Sequence, residues 1–412
     1  MSDAKFIKLI QGCQLPQYEF VDFYFDEFAY TITIDLKRRN DMYYTCAHCG
    51  QQTFFYYDTL TPRTVEDMPV GPYRLFWRFE ARRVHCPHCG TIHVEKIPGL
   101  TPHSRQTDRF RLLIARECDN ASVSAVARKF SLNDETVRRI DREFLAKRET
   151  ITAGKTCEKL AIDEIAIKKG HIYATLFYSH DDKCVIGMVE GRGRDVVCGF
   201  FKGMSQQWRD GVKVVTSDLW RAYRTAVRRY LPNAAIVTDK FHVFKYAGDA
   251  LDEVRRCEYA KQQDKTVFDL KKARFLIQRH NIDLDAKGLK RIEQLKATNE
   301  NVYTAYLLKE QALTFYAQES AEAAERFLNG WASSCIASKL SPFVNLGRRL
   351  LRHSKTILAY FTHRISNAFA EGVNNKVKVV KRMAFGFHDF EYFRLKIMAA
   401  TGYLRPLTMN FR

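Results

Sequence analysis

Residues 159 to 190, KLAIDEIAIKKGHIYATLFYSHDDKCVIGMVE, decide the reading of this 412-residue chain. Upstream the apolar residues recur at helical steps; from Lys159 the period becomes that of strands. The runs KLAIDEIAI, HIYATLFYSHD and KCVIGMVEG are separated by turns at KKG and HDDK, and three strands in succession predict an antiparallel meander. A helical stretch, RDVVCGFFKGMSQQW, then leads to the strand KVVTSD, the helix LWRAYRTAVRRYL and the short strand AIVTD. Strands alternating with helices join a sheet in parallel, so the expected fold is α/β with a mixed sheet. Asp163 lies in the middle of the first strand and Asp218 at the end of the fourth. A lone desolvated carboxylate costs several kcal/mol, so buried aspartates are paired or metal-bound. The first and fourth strands of such a sheet can lie side by side, bringing both carboxylates to one edge. Hard divalent ions with oxygen ligands, Mg²⁺ above all, relieve the resulting repulsion.

A third carboxylate would complete such a site. Downstream, residues 233 to 341 contain no proline, and ALDEVRRCEYA, VFDLKKARFLIQ and TAYLLKEQALTFYA carry heptad-like apolar spacing, so residues 243 to 355 are expected to be mostly helix. Beyond them, SNAFAEGVNNKVKVVKR (366 to 382) reads as an amphipathic helix. Arg364, Asn367, Glu371, Asn374, Lys378 and Arg382 are expected on one side, and Ile365, Phe369, Val373, Val377 and Val380 on the packed side. Glu371, the one carboxylate in that stretch, admits two readings: a surface ion pair with a neighbouring cation, or a metal ligand beside a polyanion. Asn374, Asn375 and Lys378 share its surface and are placed to touch phosphate oxygens, whereas Lys376, Lys381 and Arg382 solvate the helix. Asp239 and His242 form a D-x-x-H pair after the fifth strand that either orients a phosphate or caps the following helix. Trp208, Trp220 and Trp331 read as core or interface residues.

Upstream, residues 105 to 149 carry helix signals. Helices are expected over 122 to 130 and 134 to 148, joined by Ser131-Leu132-Asn133, with Ser122 and Asn133 or Asp134 as N-caps. The second presents Thr136, Arg138, Arg139 and Arg142 outward, the pattern of a helix-turn-helix whose second helix suits the major groove. Before it, short alternating runs such as FVDFYF, YTITIDL and RLFWRFEARRVHC, with turns at TPRT and PVGP, predict a small β-rich module. That module holds two C-x-x-C-G knuckles, Cys46/Cys49 and Cys86/Cys89. Two thiolates per knuckle reach one ion, each glycine permits the tight turn, and four thiolates close the shell of one structural Zn²⁺. His48 and His88 lie inside the knuckles and are not needed as ligands.

Eleven cysteines suit a disulfide framework poorly in a chain this long. No apolar run reaches membrane-spanning length, and the N-terminus lacks a secretory signal, so a cytoplasmic protein without membrane attachment is expected. Net charge is +19, and residues 341 to 412 hold thirteen Lys/Arg against three Asp/Glu. Such an excess points to an acidic polymer, with nucleic acid favoured because cations gain affinity by releasing counterions from phosphates.

Taken jointly, the paired knuckles with VEDMPVGP between them, the helix-turn-helix, AIDE (161 to 164), SDLWRAY (217 to 223), DKFHV (239 to 243) and EGVNNKVK (371 to 378) resemble the insertion sequence L-three family of bacterial DDE transposases. The resemblance covers nearly the whole chain. It implies a ribonuclease H-like core over 158 to 242 and 356 to 412, interrupted by a helical insertion over 243 to 355. An N-terminal zinc-binding domain (1 to 100) and a helix-turn-helix domain (101 to 150) would precede it. It also implies Asp163, Asp218 and Glu371 as catalytic residues holding two Mg²⁺ or Mn²⁺ ions, with Asp239 and His242 as accessory residues. The partners implied are double-stranded DNA, as terminal inverted repeats and target, and a second copy as a homodimer on DNA near the bacterial nucleoid. Two other functions compete: a DNA-binding regulator that lost its chemistry, and a ribonuclease H-like nuclease without strand transfer. The presence of all three carboxylates favours the enzyme.

Overall fold

The computed structural model describes residues 15, 17–152, 154–168, 172–262, 268–384, 387 and 389–406. Residues 1 to 14 of the N-terminal stretch read for a secretory signal, and residues 169 and 170 of the KKG turn, lie outside them. The chain divides into two compact units, the first reaching to Arg148 and the second spanning Glu149–Arg405.

The first unit begins with nine strands: β1 (Tyr18–Asp26), β2 (Thr31–Arg38), β3 (Tyr44–Thr45), β4 (Gln52–Thr53), β5 (Asp58–Thr59), β6 (Arg63–Val70), β7 (Tyr73–Phe79), β8 (Arg82–His85) and β9 (Ile92–Val94). Four form a sheet in the order β1-β2-β7-β6, whose inward residues Ile32, Ile34, Val65, Leu75, Trp77 and Phe79 make its core. The alternating run RLFWRFEARRVHC divides into β7 and β8, which belong to different sheets. TPRT is only partly a turn, because Arg63 already starts β6. Three helices follow, α1 (Asp108–Glu117), α2 (Val123–Phe130) and α3 (Asp134–Thr152). Ser122 caps α2 by accepting from the Ala125 amide, and Ser131 ends it in the left-handed region at φ 54°. Phe110, Ile114, Val126, Phe130, Val137 and Ile140 pack the helices together. Asp67, inside VEDMPVGP, is buried and accepts from Trp77 Nε1 at 2.7 Å, Thr107 Oγ1 at 2.5 Å and Arg109 Nε at 2.8 Å, so it pins β6 to the start of α1.

The second unit contains a five-stranded sheet of β10 (Lys159–Lys168), β11 (Ile172–Ser179), β12 (Cys184–Glu190), β13 (Val214–Ser217) and β14 (Ala235–Thr238). Its order is β12-β11-β10-β13-β14; β10, β11 and β12 pair antiparallel, and β13 and β14 join in parallel. The meander and the adjacency of first and fourth strands are both as expected. Between β12 and β13 run α4 (Arg194–Gly203) and α5 (Gln206–Gly211). They were expected as one helix, but Met204 is extended and Ser205 caps a fresh start by accepting from the Trp208 amide. α6 (Arg221–Tyr230) precedes β14. Leu160, Ile162, Phe177, Val197, Phe201, Val215 and Val227 form the core beneath the sheet.

A helical region follows: α7 (Lys240–Lys261), α8 (Arg274–Gln278), α9 (Ala286–Thr298), α10 (Glu300–Leu313), α11 (Ala321–Ala337), α12 (Ser341–Arg352) and α13 (Ser354–His363). Its core includes Leu251, Leu295, Val302, Trp331, Phe343 and Ile357. Trp208 and Trp331 are core residues, whereas Trp220 is exposed. α14 (Ala368–Met383) and α15 (Phe390–Ala400) return to the sheet. Arg364 is not part of the Glu371 helix: it ends α13 in the left-handed region at φ 51°, and Asn367 occupies the N-cap position of α14.

Candidate active site and metal centre

Register places the aspartates. Ala161 of β10 lies opposite Thr216 of β13, so Asp163 and Asp218, each two residues further on, reach the same level. Ser217 pairs with Thr238 of β14, which puts Asp239 beside Asp218. Asp218 and Asp239 thus follow directly on the last residues of β13 and β14, and Asp163, within the longer β10 that runs on to Lys168, lies at the same level of the carboxyl edge, where open α/β sheets bind their ligands. Asp163 and Asp218 are half-buried and Asp239 is buried. Asp163 accepts from the Glu164 amide at 2.8 Å and from Asn374 Nδ2 at 2.9 Å. Asp218 accepts from the Trp220 amide at 2.9 Å and Asp239 from the Asn367 amide at 3.2 Å.

Burial, with the negative charge of Asp218 added, raises the Asp163 carboxyl above its ordinary value against the lowering pull of its hydrogen bonds and of His242. Burial likewise raises Asp239, which also feels Asp163, and Glu164, which feels Asp218 and Asp163. Oxygen donors crowded in this way make a locus for hard cations. Asp239 does not cap α7 with its side chain; His242 Nε2 approaches its Oδ2 to 3.9 Å. The sequence reading missed the pair of Glu164 with Arg192 (3.5 Å), whose guanidinium lies 5.6 Å from the centre of the exposed Trp220 ring. An acidic residue next to a site aspartate in AIDE was the available signal.

Helix α14 is tied to the sheet through Asn367, Asn374 and Lys381, the last of which, expected to solvate the helix, donates to the Ala166 carbonyl of β10 at 3.2 Å. Asn367 is buried and accepts from Thr216 Oγ1, which in turn contacts His180 Nε2 at 2.9 Å. Asn374 bridges Asp163 and the Tyr178 hydroxyl, which donates to it at 2.5 Å. Both asparagines were expected on the solvent face, and Asn374 as a phosphate contact; they instead face the sheet with Ala370 and Val377, because their amides satisfy strand-end polar groups. Glu371 stands between the two asparagines, one turn from each, exposed and without an ion-pair partner among the described residues. The expected alternative, a bridge to Arg364 or Lys378, does not form. The ligand oxygens of Asp163, Asp218 and Glu371 are not all within 4.8 Å of one another. Asn375 and Lys378 remain exposed, their side chains 3.4 Å apart.

In the first unit the four knuckle sulfurs lie within 4.8 Å of one another, with Cys46–Cys89 at 3.8 Å and Cys49–Cys86 at 3.5 Å. A tetrahedron of Zn–S bonds near 2.3 Å requires edges of about 3.8 Å, so the set fits zinc. Gly50 and Gly90 close the knuckles at φ 76° and 70°, donating to the Cys46 and Cys86 carbonyls. The Thr91 hydroxyl lowers the Cys89 thiol to about 5 against burial. Against a Gln51 backbone hydrogen bond, burial and the neighbouring thiols push Cys49 up to about 11, so without an ion one thiolate is favoured at the expense of another. His48 and His93 stack at 5.1 Å beside Cys89, outside the four-sulfur set. The described cysteines are all free thiols. On α3, Arg138, Arg139 and Arg142 are exposed and Thr136 half-exposed.

Family models match three consecutive segments: a zinc-finger of transposase IS204/IS1001/IS1096/IS1165 over residues 44–89, the helix-turn-helix domain of transposase family ISL3 over 95–145, and a DDE-type ISL3 transposase domain over 160–397. The chain belongs to the ISL3 transposase family. A similar protein, the transposase for insertion sequence element IS1001 of Bordetella parapertussis, is 30% identical over 97% of this chain and 98% of its own length. The transposase for insertion sequence element IS1557 of Mycobacterium tuberculosis is 26% identical over 86% of this chain and 85% of its own. Among the described residues of this ISL3 transposase, no helix is long and apolar enough to cross a membrane.

Proposed function

We propose that this transposase has a ribonuclease H-like core in which Asp163, Asp218 and Glu371 hold two Mg²⁺ or Mn²⁺ ions and carry out DNA cleavage and strand transfer. The observation that supports it most is the convergence of Asp163 and Asp218 at one register level, with the Glu371 helix fastened to that level through Asn367 and Asn374. The donors are hard carboxylate oxygens, which suit these ions. When bound, such ions lower the pKa of an attacking hydroxyl and neutralise the leaving oxygen. The chain's own part is positional: Asn374 and the Glu164 amide hold both oxygens of Asp163, the Trp220 amide holds one of Asp218, and His242 sets a positive or polar group against Asp239.

In the same reading, α3 binds terminal inverted repeats through Thr136, Arg138, Arg139 and Arg142, and one structural zinc closes the four knuckle thiolates. The protein works as a dimer because two DNA ends must be handled together. In this reading the zinc-binding domain is 1 to 100, the helix-turn-helix domain 101 to 150, the catalytic core 158 to 242 with 356 to 412, and the helical insertion 243 to 355. The test is incubation of the full chain with labelled element-end duplex and Mg²⁺. Cleavage and joining, both lost in Asp163→Asn while duplex binding persists, are expected. Cleavage without joining would leave a nuclease, and binding without either a regulator.

A further inference from the structure

We propose that α6 and α12 form a second DNA-backbone groove beside Asp218, distinct from the helix-turn-helix; this rests on the transposase reading above. Along α6, Arg221, Arg224 and Arg228 fall at three- and seven-residue steps on one face, while Tyr223, Ala226 and Val227 of the other face are buried. The end of α12 adds Arg349 and Arg352, followed by His353. The two helices meet where Arg224 Nη1 lies 2.6 Å from His353 Nδ1. Arg349 stacks 4.1 Å above the centre of the Tyr246 ring, and the Tyr246 hydroxyl is raised by burial and then by the charge of Asp218. The cationic cluster therefore lies within electrostatic reach of a site carboxylate.

Its own electrostatics ask for an anion. Arg221, Arg228, Arg349 and Arg352 have no carboxylate partner among the described residues, and the Nε of Arg224 is buried without a hydrogen bond. Burial, then the charges of Arg228 and Arg349, pull Arg224 below its ordinary value against the opposing charge of Asp218; His353 is lowered by burial and then by Arg224, Arg349 and Arg352. Like charges gathered this closely weaken a fold unless something neutralises them. Arg221 to Arg228 spans about 10 Å of helix, roughly the rise of three phosphates on one strand at 3.4 Å each. A row of that length fits a polymer backbone better than a single phosphate. An acidic protein surface is the other class of occupant, and the test separates the two.

Arg228 and Arg352 are exposed, so Arg228→Gln/Arg352→Gln should leave the fold intact, checked by circular dichroism. Binding of the full chain to a short duplex lacking element ends is measured over a KCl series. The slope of log affinity against log salt should fall by about 2, because each neutralised phosphate contributes about 0.9. Arg228→Lys/Arg352→Lys should keep the wild-type slope. An unchanged slope in the glutamine variant, with wild-type protein binding normally, overturns the groove and leaves the transposase reading standing. A variant that changes oligomeric mass but not the slope assigns the arginines to an acidic protein surface and also overturns it. Wild-type protein that binds neither this duplex nor an element-end duplex would remove the DNA-cleaving reading itself and the groove with it.

Discussion

Glu371 is an exposed carboxylate on a helix whose residues four before and three after it are buried or half-buried amides bound to the strand ends. It has no cation of its own to answer, so its cost or benefit depends on what enters the carboxyl edge of the sheet. Glu371→Gln keeps the shape and removes the charge. If the residue is a metal ligand, the variant should bind terminal DNA as well as wild type or better while cleavage falls at least about a hundredfold, because metal-assisted charge stabilisation is worth several kcal/mol. Single-turnover cleavage beside a binding isotherm reads both. A folded variant that cleaves at near wild-type rate would return the position to ordinary surface chemistry, worth at most about 1 kcal/mol.

Among the elements, α3 is where recognition should show. Arg138 and Arg139 are exposed, and among the described residues Arg138 is ion-paired only with the exposed Glu135 on its own helix. Such a surface pair is weak and yields to a phosphate or a guanine edge. Arg138→Ala and Arg139→Ala should each weaken binding to the element's terminal duplex, by about 1–3 kcal/mol if the contact is to a base, while leaving zinc content unchanged; equal affinities across a salt series would place recognition elsewhere. β12 supplies a test of packing. A methyl group on Gly187 would sit 2.3 Å from the Phe200 ring, which is stacked on Phe177 with centroids 3.6 Å apart. Gly187→Ala should therefore cost about 1–3 kcal/mol in denaturant unfolding. The strands of this sheet were legible as short apolar, β-branched runs bounded by turns, since β11 and β13 are buried on both faces, and the knuckles because a metal shell imposes a spacing. α14 was legible as a helix but not in its orientation: amphipathicity assumes that polar side chains face water, whereas Asn367 and Asn374 turn inward to satisfy buried groups. The break at Met204 and Ser205 was missed for a related reason, since apolar spacing continues through it while a serine hydroxyl supplies a new cap.

At the scale of the molecule, each compact unit has cores of its own, and only the first depends on the knuckles. β3 and β4 are two residues each, β9 is three, and the turns joining β3 to β4 and β8 to β9 are the two knuckles themselves. Elements so short bury too little to hold together unaided, so metal binding there is folding free energy. Zinc analysis of the purified chain should give about one ion per chain, lost in Cys46→Ser or Cys89→Ser. Scanning calorimetry with a strong chelator should lower or remove the transition belonging to the first unit and leave that of the second, whose sheet and helical cores contain none of the four cysteines. Circular dichroism should then lose strand signal while retaining most helix. A protein that contains no zinc and unfolds identically with and without chelator would mean that the four thiols are held by packing alone, and that 3.5–3.8 Å between sulfurs reflects contact between neutral side chains instead of a metal shell.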